Sequence, residues 1–518
     1  MSRRRTLRTT TALLAVAATL AACAPGPSPA PPFITGLGDQ GAPAASSKAP
    51  APAPAWKAPA ADSIAWRDCG DELGRQYGTG APVGSVTVEC ASIRVAQDPS
   101  ATGGDEIEIG LTRASSSTAP KDAAPLVLVG GTTFTSDRAL LTLASSDAPL
   151  LAERPVVAVE RRGLGPDSAV SCLTPSAQAT LRTGGAPGAV AARSKEITAA
   201  STAAATTCSD KLTDSQTLFT PANAAADLDV LRSTWGVPAL GLLSVGDGST
   251  VALAYLAAHP DRVARLVLDS PVRYGGDLRD RVEDAAKGTA ATLASFATQC
   301  RAVACALGAD PTGAVRDVFA RAQAGTLGVS DTELLQAVTA ALAIGPGPQS
   351  ARVSKVATAL ASARAGDDAG LRGLVSDAQA AADSDGQYVS RCSDTGQKPS
   401  PDQVSTAAAD WERRYPLGGR AAALSMLDCS AWPAVASPPA PRSARVPTVA
   451  LLPANDPLTS RDAMTGLSGQ FLMAGTRLAA VEWSGIGDGA VMRSTCAQQA
   501  IAPYLDDLDS PATGACPA

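Results

Sequence analysis

The chain has 518 residues, 45% hydrophobic and 18% charged, a balance that fits folded domains and excludes a wholly disordered chain. Its formal charge is −6, and four arginines (Arg3, Arg4, Arg5 and Arg8) with no acid lie in the first 22 residues, so the chain without them stands at −10. That acidity excludes a nucleic-acid partner, since phosphate binding draws on clustered cations, and a single histidine, His259, excludes any chemistry built on a histidine cluster.

Residues 1–22 read as a secretory signal peptide. Arg3 to Arg5 form a basic start, Ala12 to Leu20 an apolar run too short to span a bilayer, and small residues lead into Cys23. Leu20-Ala21-Ala22-Cys23 resembles a bacterial lipobox, so Cys23 is the expected lipidation site and the membrane an expected partner through that lipid. Ordinary cleavage and secretion is the alternative. Residues 23–61 are Ala/Pro-rich with few large apolar side chains, which suits a tether.

Residues 62–273 read as the N-terminal part of an α/β core. Pro125 to Val129 and Pro155 to Val159 are short continuous apolar runs, as buried parallel strands are. An amphipathic helix is expected over Ala222 to Trp235, a strand over Ala239 to Val245, a helix over Ser249 to Ala258 and a strand over Val263 to Leu268. Alternation of this kind indicates a parallel sheet flanked by helices. Residues 274–395 become Ala-rich and helical, with a capping box at Ser330-Asp331-Thr332-Glu333 and a break at Gly345-Pro346-Gly347-Pro348, and read as a helical lid. In residues 396–518 strand texture returns at Val446 to Leu452 and Leu478 to Trp483, and a helix follows over Ser494 to Leu505.

Of eleven cysteines, ten follow Cys23, and an even number in an exported chain reads as disulfides. Many connectivities are possible. Loop closure favours near neighbours, giving Cys69–Cys90, Cys172–Cys208, Cys300–Cys305, Cys392–Cys429 and Cys496–Cys516. No C-x-x-C pair occurs and His259 is far from any cysteine in sequence, so no metal and no cofactor is expected.

The order of several motifs carries a resemblance. Glu160-Arg161-Arg162-Gly163-Leu164-Gly165, Asp227-Leu228-Asp229-Val230-Leu231-Arg232, His259-Pro260-Asp261-Arg262-Val263, Leu266-Val267-Leu268-Asp269-Ser270 and Cys429-Ser430-Ala431-Trp432-Pro433 together resemble the secreted tripeptidyl-aminopeptidase-like branch of the α/β-hydrolases, related to prolyl aminopeptidases. The resemblance implies an α/β-hydrolase fold with a mostly parallel central sheet and a helical lid. It also implies a Ser-His-Asp triad, with the serine on a sharp strand-to-helix elbow.

The expected triad is incomplete. Counting forward from Asp227 and back from Pro260 places the nucleophile position on Gly246, within Ser244-Val245-Gly246-Asp247-Gly248. Gly487-Asp488-Gly489 is similar to the family's G-H-G with Asp488 in the histidine position, and Asp456 holds the acid position in Asn455-Asp456-Pro457. A carboxylate is a poor base for a serine hydroxyl. His259, a helix away from Gly246, reads as a structural helix-end residue. Gly130 and Gly131 are expected to offer backbone donors toward the site, and Asp247, Asp456 and Asp488 to converge there on a peptide or small ligand with a positive group. Three readings compete: a ligand-binding pseudoenzyme, an active hydrolase using Ser244 or Ser249, and an envelope protein whose cleft is vestigial.

Overall fold

A computed structural model describes residues 52–165, 169–511 and 514–518. The expected signal peptide and the expected lipidation site at Cys23 lie outside the described residues. Among these residues ten strands form one sheet: β1 Arg67–Asp68, β2 Val86–Ala96, β3 Glu106–Ser116, β4 Leu126–Val129, β5 Val156–Val159, β6 Leu240–Val245, β7 Val263–Asp269, β8 Thr448–Asn455, β9 Leu478–Ile486 and β10 Gly514–Cys516.

Their spatial order is β1-β2-β3-β5-β4-β6-β7-β8-β9-β10. The pairs among β1, β2, β3 and β5 are antiparallel and every later pair is parallel. From β2 to β9 this is the strand order of an α/β hydrolase, with one swap, β5 before β4, near the antiparallel edge. The inner strands β4, β5, β6 and β7 are buried at every position. Helices therefore cover both faces, as a parallel sheet requires. Trp235, Tyr255 and Phe471 pack on one face, and Phe134, Phe296 and Tyr504 on the other.

The tether expected to run to Ala61 stops short of it. Trp56 forms a bridge to Ala239, donates its indole N–H to the Pro125 carbonyl at 3.2 Å and lies under the guanidinium groups of Arg154 and Arg265. An aromatic with two cation–π neighbours is fixed to the fold, and it closes the ends of β4 and β6.

The helical part is larger than the 274–395 drawn from sequence. Helices run from Leu278–Ala302 to Asp385–Ser393, and Pro401–Arg414 and Gly419–Ser425 follow before β8 resumes the sheet. A second helical insertion, Pro175–Thr183 and Val190–Leu212, leaves after β5 and packs Ile197 and Ala204 into one apolar cluster with Trp411 of the helix Pro401–Arg414. The buried Arg193–Asp331 ion pair, 2.9 Å, joins the two insertions. The capping box at Ser330 and Glu333 forms as expected. The five disulfides join the expected pairs, and Cys496–Cys516 ties β10 to the helix Thr495–Asp507.

Candidate functional site

Strand β6 ends at Val245, and the chain turns sharply through Gly246 into the helix Ser249–Ala258. Gly246 has φ +57°, a left-handed conformation that glycine adopts without a steric cost. This is the elbow of the fold, at the residue reached by counting from both flanks. A Cβ placed on Gly246 would meet Asp488 Oδ2 at 2.9 Å, so Asp488 faces the point where a nucleophile would stand.

Asp456 follows β8 and Asp488 follows β9. Their loops are tied by the Gly487 amide, which donates to the Asn455 carbonyl at 3.1 Å. The Asp456 loop is held from outside by the helix Leu278–Ala302. Thr289 donates to the Pro457 carbonyl at 2.9 Å, and a Cβ on Gly288 would fall 2.0 Å from the Thr459 carbonyl oxygen and 2.3 Å from that of Asp456. The Asp488 loop is held by residues to which no role was attached in the sequence. Asp269, at the end of β7, accepts from the amides of Ala490 (2.9 Å) and Val491 (2.7 Å), and the Ser270 hydroxyl accepts from the Gly489 amide (2.9 Å). The signal for this pair was the Leu266-Val267-Leu268-Asp269-Ser270 string.

The electrostatics of this group are unusual. Asp269, Asp456 and Asp488 are all at least 98% buried, and none forms a salt bridge among the described residues. Asp456 Oδ1 accepts from the Leu458 amide at 2.8 Å; Asp456 Oδ2 and Asp488 Oδ1 accept from no N–H, and the two carboxyls and the Ser270 hydroxyl lie within interacting distance of one another. Arg493 stands close by but spends its donors on the carbonyls of Asp488 (3.1 Å), Ala343 (2.8 Å) and Gly345 (3.4 Å). Burial pushes the carboxyls of Asp269 and Asp456 up to about 7. Asp488 is raised well above the carboxylate range, first by burial and then by the charges of Asp456 and Asp269.

Asp247 lines the same cavity as Asp488 and its charge adds to the rise at Asp488, but it is held apart by its own hydrogen bonds. Its carboxylate turns back onto the loop after β4, accepting from the Thr132 amide (2.9 Å to Oδ2) and the Thr132 hydroxyl (2.6 Å). The donors expected from the two glycines are also engaged: the Gly130 amide donates to Ser136 Oγ at 2.8 Å and the Gly131 amide to the Phe134 carbonyl at 2.8 Å. Gly130 and Gly131 therefore shape the loop rather than present donors to a ligand. The cause is the short turn into the helix Ser136–Ala144, which consumes both amides locally.

Ser244 is fully buried within β6, and its hydroxyl has no hydrogen-bond partner. Ser249 Oγ accepts from the Val272 amide at 3.2 Å. His259 caps the helix Ser249–Ala258 and packs against Tyr255, with ring centroids 5.2 Å apart. No group of three or more His, Cys, Asp or Glu side chains placed to hold a metal occurs among the described residues.

Above the elbow a cavity of about 320 Å³ opens beneath the helical insertions. Gly246, Ser270 and Asp488 form part of its floor, Val272, Val282, Leu335, Leu417 and Leu458 supply apolar walls, and Arg281 and Arg391 are its cations. Its polar floor and apolar walls have the make-up of a small-molecule site.

Residues 415–516 match the family described as "TAP-like protein". A 94-residue stretch is 34% identical to serine protease Hip1 of Mycobacterium tuberculosis and of Mycobacterium bovis, covering 18% of this chain and 18% of theirs. The match thus spans less than a fifth of those relatives. Among solved structures, esterase E22 aligns over 81% of this chain and 100% of its own at 11% identity and TM-score 0.38. A thermophilic esterase from Thermogutta terrifontis aligns over 81% and 99% at 15% identity and TM-score 0.35. The tripeptidyl-aminopeptidase-like resemblance read from the motifs is thus met by the C-terminal sequence match, and the α/β-hydrolase fold by the strand order.

Proposed function

We propose that this tripeptidyl-aminopeptidase-like α/β hydrolase is a non-catalytic binding protein, and that its cavity receives a ligand bearing a protonated amine. The observation that carries the reading is Asp488: a buried carboxyl with no cation paired to it, facing a glycine where the elbow would hold a nucleophile. A buried carboxyl without a partner is costly, and a cation close by relieves that cost. Asp456, whose carboxyl interacts directly with that of Asp488, lets the pair share one proton or carry one charge for the incoming amine. Apolar walls suit the body of such a ligand, and Arg391, unlike Arg281, which pairs with Asp394, suits a carboxylate at its other end. A short peptide has both groups.

The absence of a side chain at Gly246 and of a histidine near it supports the loss of serine-hydrolase chemistry, which needs both nucleophile and base. In this reading Cys23 carries a lipid and the following Ala/Pro-rich segment holds the domain away from the membrane. No helix among the described residues is long and apolar enough to cross a bilayer.

The test is paired. Wild-type protein is treated with a fluorophosphonate probe, and short peptides with free or acetylated amino termini are titrated calorimetrically. The proposal expects no labelling, binding of the free-amine peptides only, and at least tenfold weaker binding by Asp488→Asn. A labelled wild type overturns the non-catalytic part, and mapping the labelled serine identifies the nucleophile. Equal binding of free and acetylated peptides overturns the amine part.

A further inference from the structure

A second cavity, of about 460 Å³, lies at the C-terminal end of the helix Asp331–Ala343, where Ala340, Ala341 and Ile344 line it. Arg138, Tyr77, Arg75, Arg352, Lys355 and Asp377 carry its polar chemistry, and Ile344, Leu374 and several alanines its apolar surface. Four cations against one carboxylate is an unusual balance in a chain whose net charge is −6.

Arg138 is the informative residue. It is 92% buried, forms no salt bridge and no side-chain hydrogen bond, and its Nε is buried without a partner. Its guanidinium lies over the Tyr77 ring, 5.1 Å from the centroid. The one carboxylate in the cavity is already used, since Asp377 pairs with Lys355 at 2.7 Å. Arg352 is spent as well, on the carbonyls of Leu342, Gly347 and Ile486. Arg138 is thus a largely buried, fork-shaped donor with a face fixed by stacking; Asp377 acts on it through space but accepts no hydrogen bond from it. Such a group is costly to keep unless an anion meets it, and guanidinium geometry suits carboxylate or phosphate oxygens.

We infer that this cavity is a binding site for an organic anion, a carboxylate or phosphate monoester on a short apolar body, held by Arg138 with Arg75 at the rim. Arg75 is exposed on the helix Gly70–Tyr77 and can approach the same head group. The site is separate from the Gly246 cavity and does not depend on the function proposed for it.

The full chain is titrated calorimetrically with octyl phosphate, octanoate, inorganic phosphate and 1-octanol. Binding of either organic anion, with at least tenfold loss in Arg138→Met and about threefold loss in Arg75→Ala, supports the site, and the tighter anion identifies the head group. Arg138→Met also raises the melting temperature of the ligand-free protein by roughly 1–2 °C, because it removes a buried charge that no salt bridge or hydrogen bond within the protein satisfies. A merely structural arginine would lower it. No binding of either organic anion overturns the proposal, as does equal binding by wild type and Arg138→Met. Inorganic phosphate bound as tightly as octyl phosphate overturns the requirement for an apolar body. Should Arg138→Met fail to fold, Arg75→Ala decides, and unchanged affinity in that variant overturns the proposal.

Discussion

The Asp247 carboxylate accepts hydrogen bonds from both the amide and the hydroxyl of Thr132, at 2.9 and 2.6 Å. In an α/β hydrolase the loop after this strand supplies one of the amides that stabilise the reaction's oxyanion. Here a fixed negative charge sits on that amide. An anion developing on a substrate would meet an occupied donor and a like charge.

Restoring the missing residues is therefore not enough to restore chemistry. Gly246→Ser with Asp488→His is expected to react slowly or not at all with a fluorophosphonate probe. Adding Asp247→Ala frees the Thr132 amide and should speed labelling by about 10²–10³-fold, the range associated with one oxyanion donor. Labelling rates of the double and triple variants, compared side by side, check this. Equal rates would mean that the carboxylate moves aside unaided.

Asp456 and Asp269 are raised to about 7 and Asp488 is raised well above the carboxylate range, so in the folded state they keep protons that the unfolded chain releases near pH 4. Between about pH 4 and 7 the folded state binds more protons, and stability falls as pH rises, by up to about 1.4 kcal/mol per pH unit for each group. Above about pH 7 the loss is complete for Asp269 and Asp456. Ligand-free protein should thus melt at a higher temperature at pH 6 than at pH 8, and Asp488→Asn should narrow the difference. Amine binding has the opposite sign, strengthening from pH 6 to 8 as the carboxyls ionise. Thermal melts and titrations across that range test both signs.

Gly288 is a steric requirement of the site rather than a helix defect. Gly288→Ala would drive a methyl into the Asp456 and Thr459 carbonyls, at a cost of about 1–3 kcal/mol, typical of overpacking. The Asp456 loop should shift with it, so amine affinity should fall although Gly288 lines no part of the cavity. A stable variant with unchanged affinity would show that the helix can retreat on its own.

Ser244 offers a further discriminating substitution. Its hydroxyl is buried and unpartnered, so Ser244→Ala should be neutral or stabilise the fold by up to about 1 kcal/mol. It should leave ligand binding unchanged. If the wild type did hydrolyse an ester and Ser244→Ala abolished that activity, the elbow assignment would fall.

Much of the sheet was legible because buried parallel strands are continuous apolar runs: β4, β5, β6, β7, β8 and β9 each carry one. The long β2–β3 hairpin was not singled out, since both strands lie toward the antiparallel edge and mix exposed with buried positions. The helices Pro175–Thr183 and Val190–Leu212 were missed because Ala, Ser and Thr give little contrast between a buried and an exposed face. Gly246 could be reached by counting, because the elbow sits at a fixed distance from flanking motifs. The direction of the Asp247 side chain could not, since a carboxylate two turns from a glycine loop reads the same whether it faces a ligand or Thr132. Asp269 stood in plain view at a strand end, but its two amide donors come from residues more than 200 positions away.

The helical roof over the elbow is braced from two directions. One insertion leaves the sheet after β5 and the other after β7, and they meet through the buried Arg193–Asp331 pair, while Arg161 beneath them grips Asp394 (3.1 Å) and the Phe219 carbonyl (2.8 Å). Swinging such a roof open would strand buried charges, at a cost of about 3–5 kcal/mol for each broken pair. Traffic to the Gly246 cavity would then pass between the elements of the closed roof more readily than through a hinge. The width of that route becomes a filter in its own right: it would turn away bulky molecules before the carboxyls beneath could sample them, making selection partly a matter of passage and not of affinity.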